Sequence, residues 1–166
     1  MDLIYYPNPL LRKKNRDLTP DDGNLPEKIR QMFEIMYRNK GVGLAAPQVG
    51  WNVRLFIANP EGGGAEREKV FVNPRIVSSS GSVSEAEGCL SFPGLYITVN
   101  RGLEVDVEYR DADFKTHRET FNGFMARIVQ HEYDHLEGIL MIHRISQAEK
   151  VRNKRLLDEL EERYAS

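Results

Sequence analysis

Two histidines and a glutamate stand at a spacing that suits metal chemistry. The segment at 131–135 reads His-Glu-Tyr-Asp-His, an H-E-x-x-H motif. Residues four apart lie on the same face of a helix, so His131 and His135 can both reach one divalent ion. Glu132 cannot join that pair of bonds, but it can stand beside a metal-bound water. The motif therefore predicts a metal site with an acid–base group next to it.

A helical wheel at about 100° per residue places Glu132 among apolar side chains. When His131 is set at an angle of zero, His135 falls near 40°, Glu132 near 100° and Leu136 near 140°, all rounded from about 100° per residue. The opposite arc completes an amphipathic helix and holds Ala126, Arg127, Gln130, Tyr133, Asp134 and Glu137. Burial raises the pKa of a carboxyl group, which suits a residue that must take and return a proton near neutral pH.

A third ligand must come from elsewhere in the chain. Many H-E-x-x-H zinc peptidases add a histidine or glutamate downstream, but the remaining histidines here are His117, in a polar strand or hairpin, and His143, after an apolar run. Cys89, the one cysteine, lies in the Gly- and Pro-bounded segment EGCLSFPG and is the better candidate, because a thiolate binds divalent metals strongly. The alternative for Cys89 is a small buried apolar residue, and for His143 a satisfied core or interface residue.

Length and charge bound the class of protein. The 166 residues fit a single domain spanning 1–166, and 23 basic against 25 acidic residues give a net charge of −2. That balance excludes the strongly basic footprint of an autonomous nucleic-acid binder, so we expect no DNA partner. The longest apolar run has four residues, far below the ~20 that cross a membrane. A lone cysteine and no recognisable secretory signal predict a cytoplasmic protein.

The elements that must position these groups can be read from periodicity and turn residues. Residues 1–24, rich in Pro, Asn and Asp, predict an extended arm lying on the domain. Predicted helices cover about 25–39, 122–137 and from Ser146, with Glu149 in capping-box position, to the end. Predicted strands cover 53–58, 70–77 and 103–109, with a loop tip at 60–69 and a turn at 78–82. The fold class is therefore α+β: mixed or antiparallel β-sheets around a central H-E-x-x-H helix, with one helix near each end of the chain.

Three motifs together carry a family resemblance. GVGLAAPQVG at 41–50, EGCLSFPG at 87–94 and QHEYDHLEG at 130–138 occur in one order, and YPNPLLR lies near the start. With these motifs, the chain resembles bacterial-type peptide deformylases over essentially its whole length. The resemblance implies a metallohydrolase that removes the formyl group from the initiator methionine of newly made proteins and releases formate.

The resemblance also implies the metal site. Its ligands would be Cys89, His131 and His135, with a water or hydroxide in the fourth position. The physiological metal of the family is usually Fe(II), and Zn(II), Ni(II) or Co(II) can take its place. A ferrous site with a thiolate ligand is expected to be sensitive to oxygen.

Catalytic roles carry over in the same way. Glu132 would be the general acid and base, while the Gln48 side chain and the backbone N–H of Leu90 would stabilise the oxyanion formed from the formyl oxygen. Such neutral donors meet developing charge without adding a titrating group. The backbone of Gly43 is expected to line the site.

Recognition of methionine requires an apolar pocket. Its candidate residues are Phe92, Leu95, Tyr96 and Ile128. Each of them could equally be an ordinary core residue. Arg101 could hold the substrate backbone, or it could brace Asp134 behind the metal ligands.

Formyl-methionine nascent peptides are the expected partners. The C-terminal helix, basic first and acidic later, could dock on the ribosome, although its charges also fit a solvated face. Two other functions compete with deformylation. One is a generic metallopeptidase, which would need a third His or Glu ligand downstream; the other is an inactive relative that serves as a ribosome-binding module.

Overall fold

A computed structural model describes residues 1–165, so Ser166, the last residue of the predicted domain 1–166, lies outside the described part. The four α-helices are α1 (Leu25–Arg38), α2 (Gly123–Leu136), α3 (Gln147–Arg152) and α4 (Lys154–Tyr164). The strands are β1 (Gly43–Ala45), β2 (Leu55–Ala58), β3 (Lys69–Ser80), β4 (Val83–Cys89), β5 (Phe92–Arg101), β6 (Glu104–Arg110) and β7 (Thr116–Asn122). These elements confirm the predicted α+β class.

The strands form two antiparallel sheets. Five pair in the order β1-β2-β3-β6-β7, and β4 pairs with β5 alone. In strand β6, one face is buried and the other is not. Val105, Val107 and Tyr109 are buried, while the acidic residues between them are partly or fully exposed, as the alternating sequence predicts. The prediction that Leu103 lies on the buried face is wrong. This residue lies one position before the strand and is 49% exposed.

Helix α2 lies between the two sheets. Its residues Ala126, Val129 and Leu136 pack with the buried face of the five-stranded sheet. On its other side Arg127 donates to the carbonyl oxygens of Val83 and Val99 in the β4–β5 hairpin. The arc of the wheel opposite the histidines is thus not a solvent face throughout, since its charged residues Arg127 and Asp134 are buried.

The chain ends differ from the prediction in detail. The arm 1–24 contributes buried side chains, Tyr6, Leu11 and Leu18, and so is part of the core as well as a cover. Ser146 caps α3 as predicted, accepting from the Glu149 N–H at 3.2 Å. The final helix, predicted as continuous, is divided at Asn153 into α3 and α4.

Four strands were not predicted: β1, β4, β5 and, apart from a suggestion around His117, β7. Strand β4 mixes charged, small and apolar residues without alternation. Strand β5 does alternate, with Leu95, Ile97 and Val99 buried between exposed residues, and this pattern was missed. The turn predicted at 78–82 shrinks to Gly81 and Ser82, because β3 extends through its serines to pair with β6. The loop tip predicted at 60–69 is observed with a shift of one residue, since residues 59–68 link β2 to β3. Within residues 1–165 no helix combines the length and apolar character needed to cross a membrane.

Candidate metal centre

Three potential metal ligands converge beside helix α2. The donor atoms of Cys89, His131 and His135 all lie within 4.8 Å of one another, and Cys89 Sγ is 3.4 Å from His135 Nε2. An ion with bonds of about 2.0–2.3 Å separates its ligand atoms by roughly 3.5 Å. The two imidazoles and the thiol are donors that suit Fe(II), Zn(II), Ni(II) and Co(II). The residues present therefore fit a divalent transition metal.

Each ligand is positioned by its element. The two histidines are buried and stand one turn apart on α2, with ring centroids 5.1 Å apart. Cys89 is the last residue of β4, where the pairing with β5 shifts register between Gly88 and Cys89. This irregularity ends the ladder and leaves the half-buried thiol facing the helix.

Behind His131 stands a carboxylate. His131 Nδ1 lies 2.8 Å from Glu87 Oε1, which leaves Nε2 as the nitrogen for a metal. Burial alone would raise the pKa of Glu87, but hydrogen bonds from His131 and Arg101 outweigh it and hold that pKa at about 2. Glu87 is therefore an anion that fixes the orientation of the imidazole.

Glu87 belongs to a buried group of charges that we call the ionic cluster: Glu87, Arg101, Arg127, His131 and Asp134. Arg101 donates through Nε and Nη2 to Glu87, at 2.5 and 2.9 Å, and through Nη1 to Asp134 at 2.9 Å. Arg127 donates to Glu87 at 2.5 Å, and Arg144 also pairs with Asp134. This placement favours the bracing alternative for Arg101, since its side chain is 4% exposed and lies behind the ligands.

Glu132 is the carboxylate without a partner. The residue is 4% exposed, and its Oε2 has no hydrogen-bond partner among residues 1–165. Burial raises the pKa of Glu132 to about 7, as the helical wheel suggested for a carboxyl group at this position. A Cβ at Gly43 would lie 2.7 Å from Glu132 Oε1, so only glycine lets the β1 backbone approach this carboxylate.

The expected oxyanion donors lie next to the ligands. Gln48 Oε1 accepts from the Ala45 N–H at 2.9 Å, which fixes the direction of the amide. Gln48 Nε2 donates to Ser91 Oγ at 3.0 Å and lies 3.5 Å from Cys89 Sγ. Leu90 directly follows Cys89 and lines the neighbouring cavity.

A cavity of about 520 Å³ opens on this centre. Its lining includes Cys89, His131 and Glu132 together with the expected pocket residues Gly43, Leu90, Phe92, Leu95, Tyr96 and Ile128. Tyr96 is 73% exposed, and its ring lies over Gly88 of the paired strand, where a Cβ would come within 2.7 Å of the ring.

The other two histidines lie outside the ligand group. His117 lies 2.7 Å from Asp111, and His143 accepts a hydrogen bond from the Leu140 N–H.

Sequence reasoning gave no role to Glu87, Ser91 or Arg127. A signal for Glu87 was present, because residues two apart on a strand share a face and Cys89 is already directed at the histidines. For Arg127 no such signal existed. Its burial depends on the β4–β5 hairpin, which the sequence did not predict.

Comparisons with known proteins agree with this geometry. A sequence model of the polypeptide deformylase family matches residues 1–151. The chain is 41% identical over 164 residues to a peptide deformylase of Christiangramia forsetii, covering 90% of this chain and 84% of that protein. It is 42% identical over 166 residues to the chloroplastic/mitochondrial peptide deformylase 1B of Arabidopsis thaliana, covering 99% of this chain but 61% of that protein.

Among solved structures, the chain is similar to a peptide deformylase from Plasmodium falciparum. The TM-score is 0.95 at 40% identity, with 99% of this chain and 97% of that chain covered. Likeness over nearly the whole length, in both sequence and fold, leads to one conclusion: the chain belongs to the polypeptide deformylase family.

Proposed function

We propose that this protein is a peptide deformylase, a metal-dependent hydrolase that removes the formyl group from the N-terminal formyl-methionine of newly made proteins. The observation that carries the proposal is the convergence of Cys89, His131 and His135 beside the unpaired carboxylate of Glu132. Family membership favours this function over a generic metallopeptidase. The presence of Glu132 and all three ligands also argues against an inactive relative.

The proposed ligands are Cys89, His131 and His135, with Fe(II) as the physiological ion. Two histidines and one thiolate leave an open position, which a catalytic site requires. When bound, the ion supplies Lewis acidity, lowering the pKa of a coordinated water and polarising the formyl oxygen. Glu87 would hold His131 in the productive orientation.

Glu132 is the proposed proton carrier. Its buried carboxyl group, with a pKa of about 7, can accept a proton from the attacking water and return it to the leaving amine. The Gln48 amide and the Leu90 N–H are proposed to donate to the formyl oxygen as negative charge develops there. Gln48 is suited to this, because Ala45 and Ser91 already fix its side chain.

The substrate is proposed to lie along the free edge of β4. Among residues 1–165 that strand pairs only with β5, and its segment 86–89 lines the cavity. An extended peptide can add to such an edge through main-chain hydrogen bonds. These bonds do not depend on the identity of the side chains, so they suit an enzyme that acts on many different peptides. Phe92, Tyr96 and Ile128 are proposed to surround the methionine side chain, with the Gly43 backbone opposite Glu132.

Release of formate tests the proposal. The protein, purified without oxygen, should release formate from a formyl-Met peptide, lose that activity with a chelator and regain it with Fe(II). An unformylated peptide is the control, and its cleavage at internal bonds would indicate a metallopeptidase instead.

Cys89→Ala should lower the bound metal per chain; unchanged metal content would contradict the ligand assignment.

The proposal extends to the compartment of the protein and to docking on the ribosome. A lone cysteine fits the cytoplasm, whereas the name of the Arabidopsis thaliana relative places that protein in chloroplasts and mitochondria. Basic residues of α4 pair with acids of the same helix, Lys154 with Asp158 and Arg155 with Glu159, which favours a solvated face. Cosedimentation with ribosomes would test docking through α4.

A further inference from the structure

The end of the C-terminal helix reaches the cavity of the metal centre. Tyr164, the last residue of α4, lines that cavity together with Tyr5 of the N-terminal arm. The match to the family model ends at residue 151, so Tyr164 lies outside the matched segment. One wall of the cavity therefore comes from the two ends of the chain, outside the strands and the helix that carry the candidate ligands.

The two rings form a fixed wall. The centroids of Tyr5 and Tyr164 are 4.4 Å apart at an interplanar angle of 17°, which is a stacked pair. Next to them, the Tyr6 hydroxyl donates to Glu161 Oε1 at 2.5 Å. Leu160, one turn before Tyr164, is 4% exposed. Ring stacking, a hydrogen bond and apolar burial thus attach the end of α4 to the arm at adjacent points.

The chemistry of this wall differs from that of the metal centre. A cavity of about 520 Å³ has room for more than one methionine residue, so residues that follow the methionine must meet its remaining walls. A peptide added to the β4 edge points alternate side chains to opposite sides. A stacked pair of tyrosines offers such a side chain flat apolar area, which favours aromatic and large apolar groups over small polar ones.

We propose that Tyr164, stacked on Tyr5, is a specificity-determining residue that contacts the nascent peptide beyond its methionine and favours an aromatic or large apolar side chain there. This inference rests on the proposed deformylase function. It concerns the choice among formylated peptides, and it leaves the chemistry at the metal centre unchanged.

Formylated peptides of graded length test the inference. The substrates are formyl-Met-Ala and two pairs of tripeptides that carry Phe or Ser at the second or third position. Wild-type kcat/KM should be higher for the Phe peptide of at least one pair. Tyr164→Ala should reduce that Phe-over-Ser ratio by about 3- to 10-fold, the scale of one aromatic contact. The kcat/KM for formyl-Met-Ala, whose second side chain is a single methyl group, is the reference value for each variant.

Two matched variants separate recognition from a merely structural role. Tyr164→Phe keeps the ring and should keep the ratio. Leu157→Ala loosens the same helix from the same apolar cluster without touching the cavity lining, so it should lower the melting temperature and keep the ratio. An unchanged ratio in Tyr164→Ala, or an equal loss in Leu157→Ala, would overturn the inference alone. No formate release by the wild type would overturn the proposed function, and this inference with it.

Discussion

Two buried regions pack against the same helix, α2, and they are held together by opposite means. The ionic cluster consists of charged groups joined by directional hydrogen bonds of 2.5–2.9 Å. On the sheet side lies what we call the aromatic cluster: Phe56, Phe71, Tyr109 and Phe121. The contacting rings have centroids 4.5–5.6 Å apart. Charged groups contact the cluster at its edge, where the Tyr109 hydroxyl donates to Glu119 and Lys69 Nζ lies 5.7 Å from the Phe121 ring centroid.

The difference shows what each region contributes. Apolar burial is non-directional and roughly proportional to area, so the aromatic cluster stabilises the fold but cannot aim a side chain. Buried charges cost free energy unless every partner is in place, and replacing them with apolar residues is often neutral or stabilising. An ionic cluster next to metal ligands is therefore best explained by the orientation it imposes on His131 and on the helix that carries both histidines.

The largest expected effect comes from Glu132, which borders the ionic cluster without joining it. Glu132→Gln should lower kcat by about 10²- to 10⁴-fold, because the amide cannot carry a proton. Metal content should stay at the wild-type level, since Cys89 and both histidines are untouched. The free energy of unfolding should not fall, because a neutral amide replaces a buried carboxylate whose Oε2 has no partner.

Formate release, metal analysis and urea unfolding of the same preparation check this prediction. Glu132→Asp is the matched variant, since it keeps the charge and shortens the side chain by one methylene. Loss of metal in Glu132→Gln would mean that the carboxylate helps to hold the ion and does not act on the proton alone.

Arg101 is next in expected effect. Arg101→Met should lower the free energy of unfolding by about 3–5 kcal/mol, because it leaves the carboxylates of Glu87 and Asp134 with one cation fewer inside the protein. It should also weaken metal affinity by about 10- to 100-fold, since the groups behind the ligands set their orientation. Metal competition with a chromophoric chelator and urea unfolding would measure both. Metal affinity equal to wild type would limit Arg101 to a stabilising role.

Sequence alone supplied most of the metal centre and less of the fold around it. The i, i+4 spacing of His131 and His135 and the apolar neighbours of Glu132 are local features, so a helical wheel predicts them. Cys89 followed from elimination and from the family resemblance, because its distance from the histidines depends on tertiary structure. The strongly alternating strand β6 was predicted to within a residue for the same reason that α2 was: its pattern is local.

The β4–β5 hairpin was not predicted, although Leu95, Ile97 and Val99 of β5 alternate along the strand. Strand β4 carries glycine and charged residues, and the partners of Glu87 include Arg127 and His131 of α2, so its burial is visible only once helix and hairpin are together. Without the hairpin, the wheel gave no sign that Arg127 is buried. The position of Tyr164 in the cavity wall was not predicted either. It depends on stacking with Tyr5, which brings together residues from the two ends of the chain.

Acid should distinguish the two clusters. The pKa of Glu87 is about 2 in the folded protein, below its ordinary 4.5, so its contribution to stability is present above pH 4.5 and is lost as the pH falls toward 2. That contribution is about 3 kcal/mol. In metal-free protein, Glu87→Gln should therefore show a shallower loss of unfolding free energy over this range. A slope equal to wild type would mean that other carboxyl groups dominate acid unfolding.

The smallest effect is expected in the aromatic cluster. Phe71→Leu shortens a fully buried side chain that contacts three other rings and should lower the free energy of unfolding by about 1–2 kcal/mol. Its urea midpoint should fall with an unchanged slope, and its acid dependence should run parallel to wild type. Metal affinity and kcat/KM should not change, because neighbouring side chains can fill apolar space without turning a ligand. If Phe71→Leu weakened metal binding as much as Arg101→Met, orientation of the ligands would depend on packing throughout the molecule, and the ionic cluster would lose its separate role.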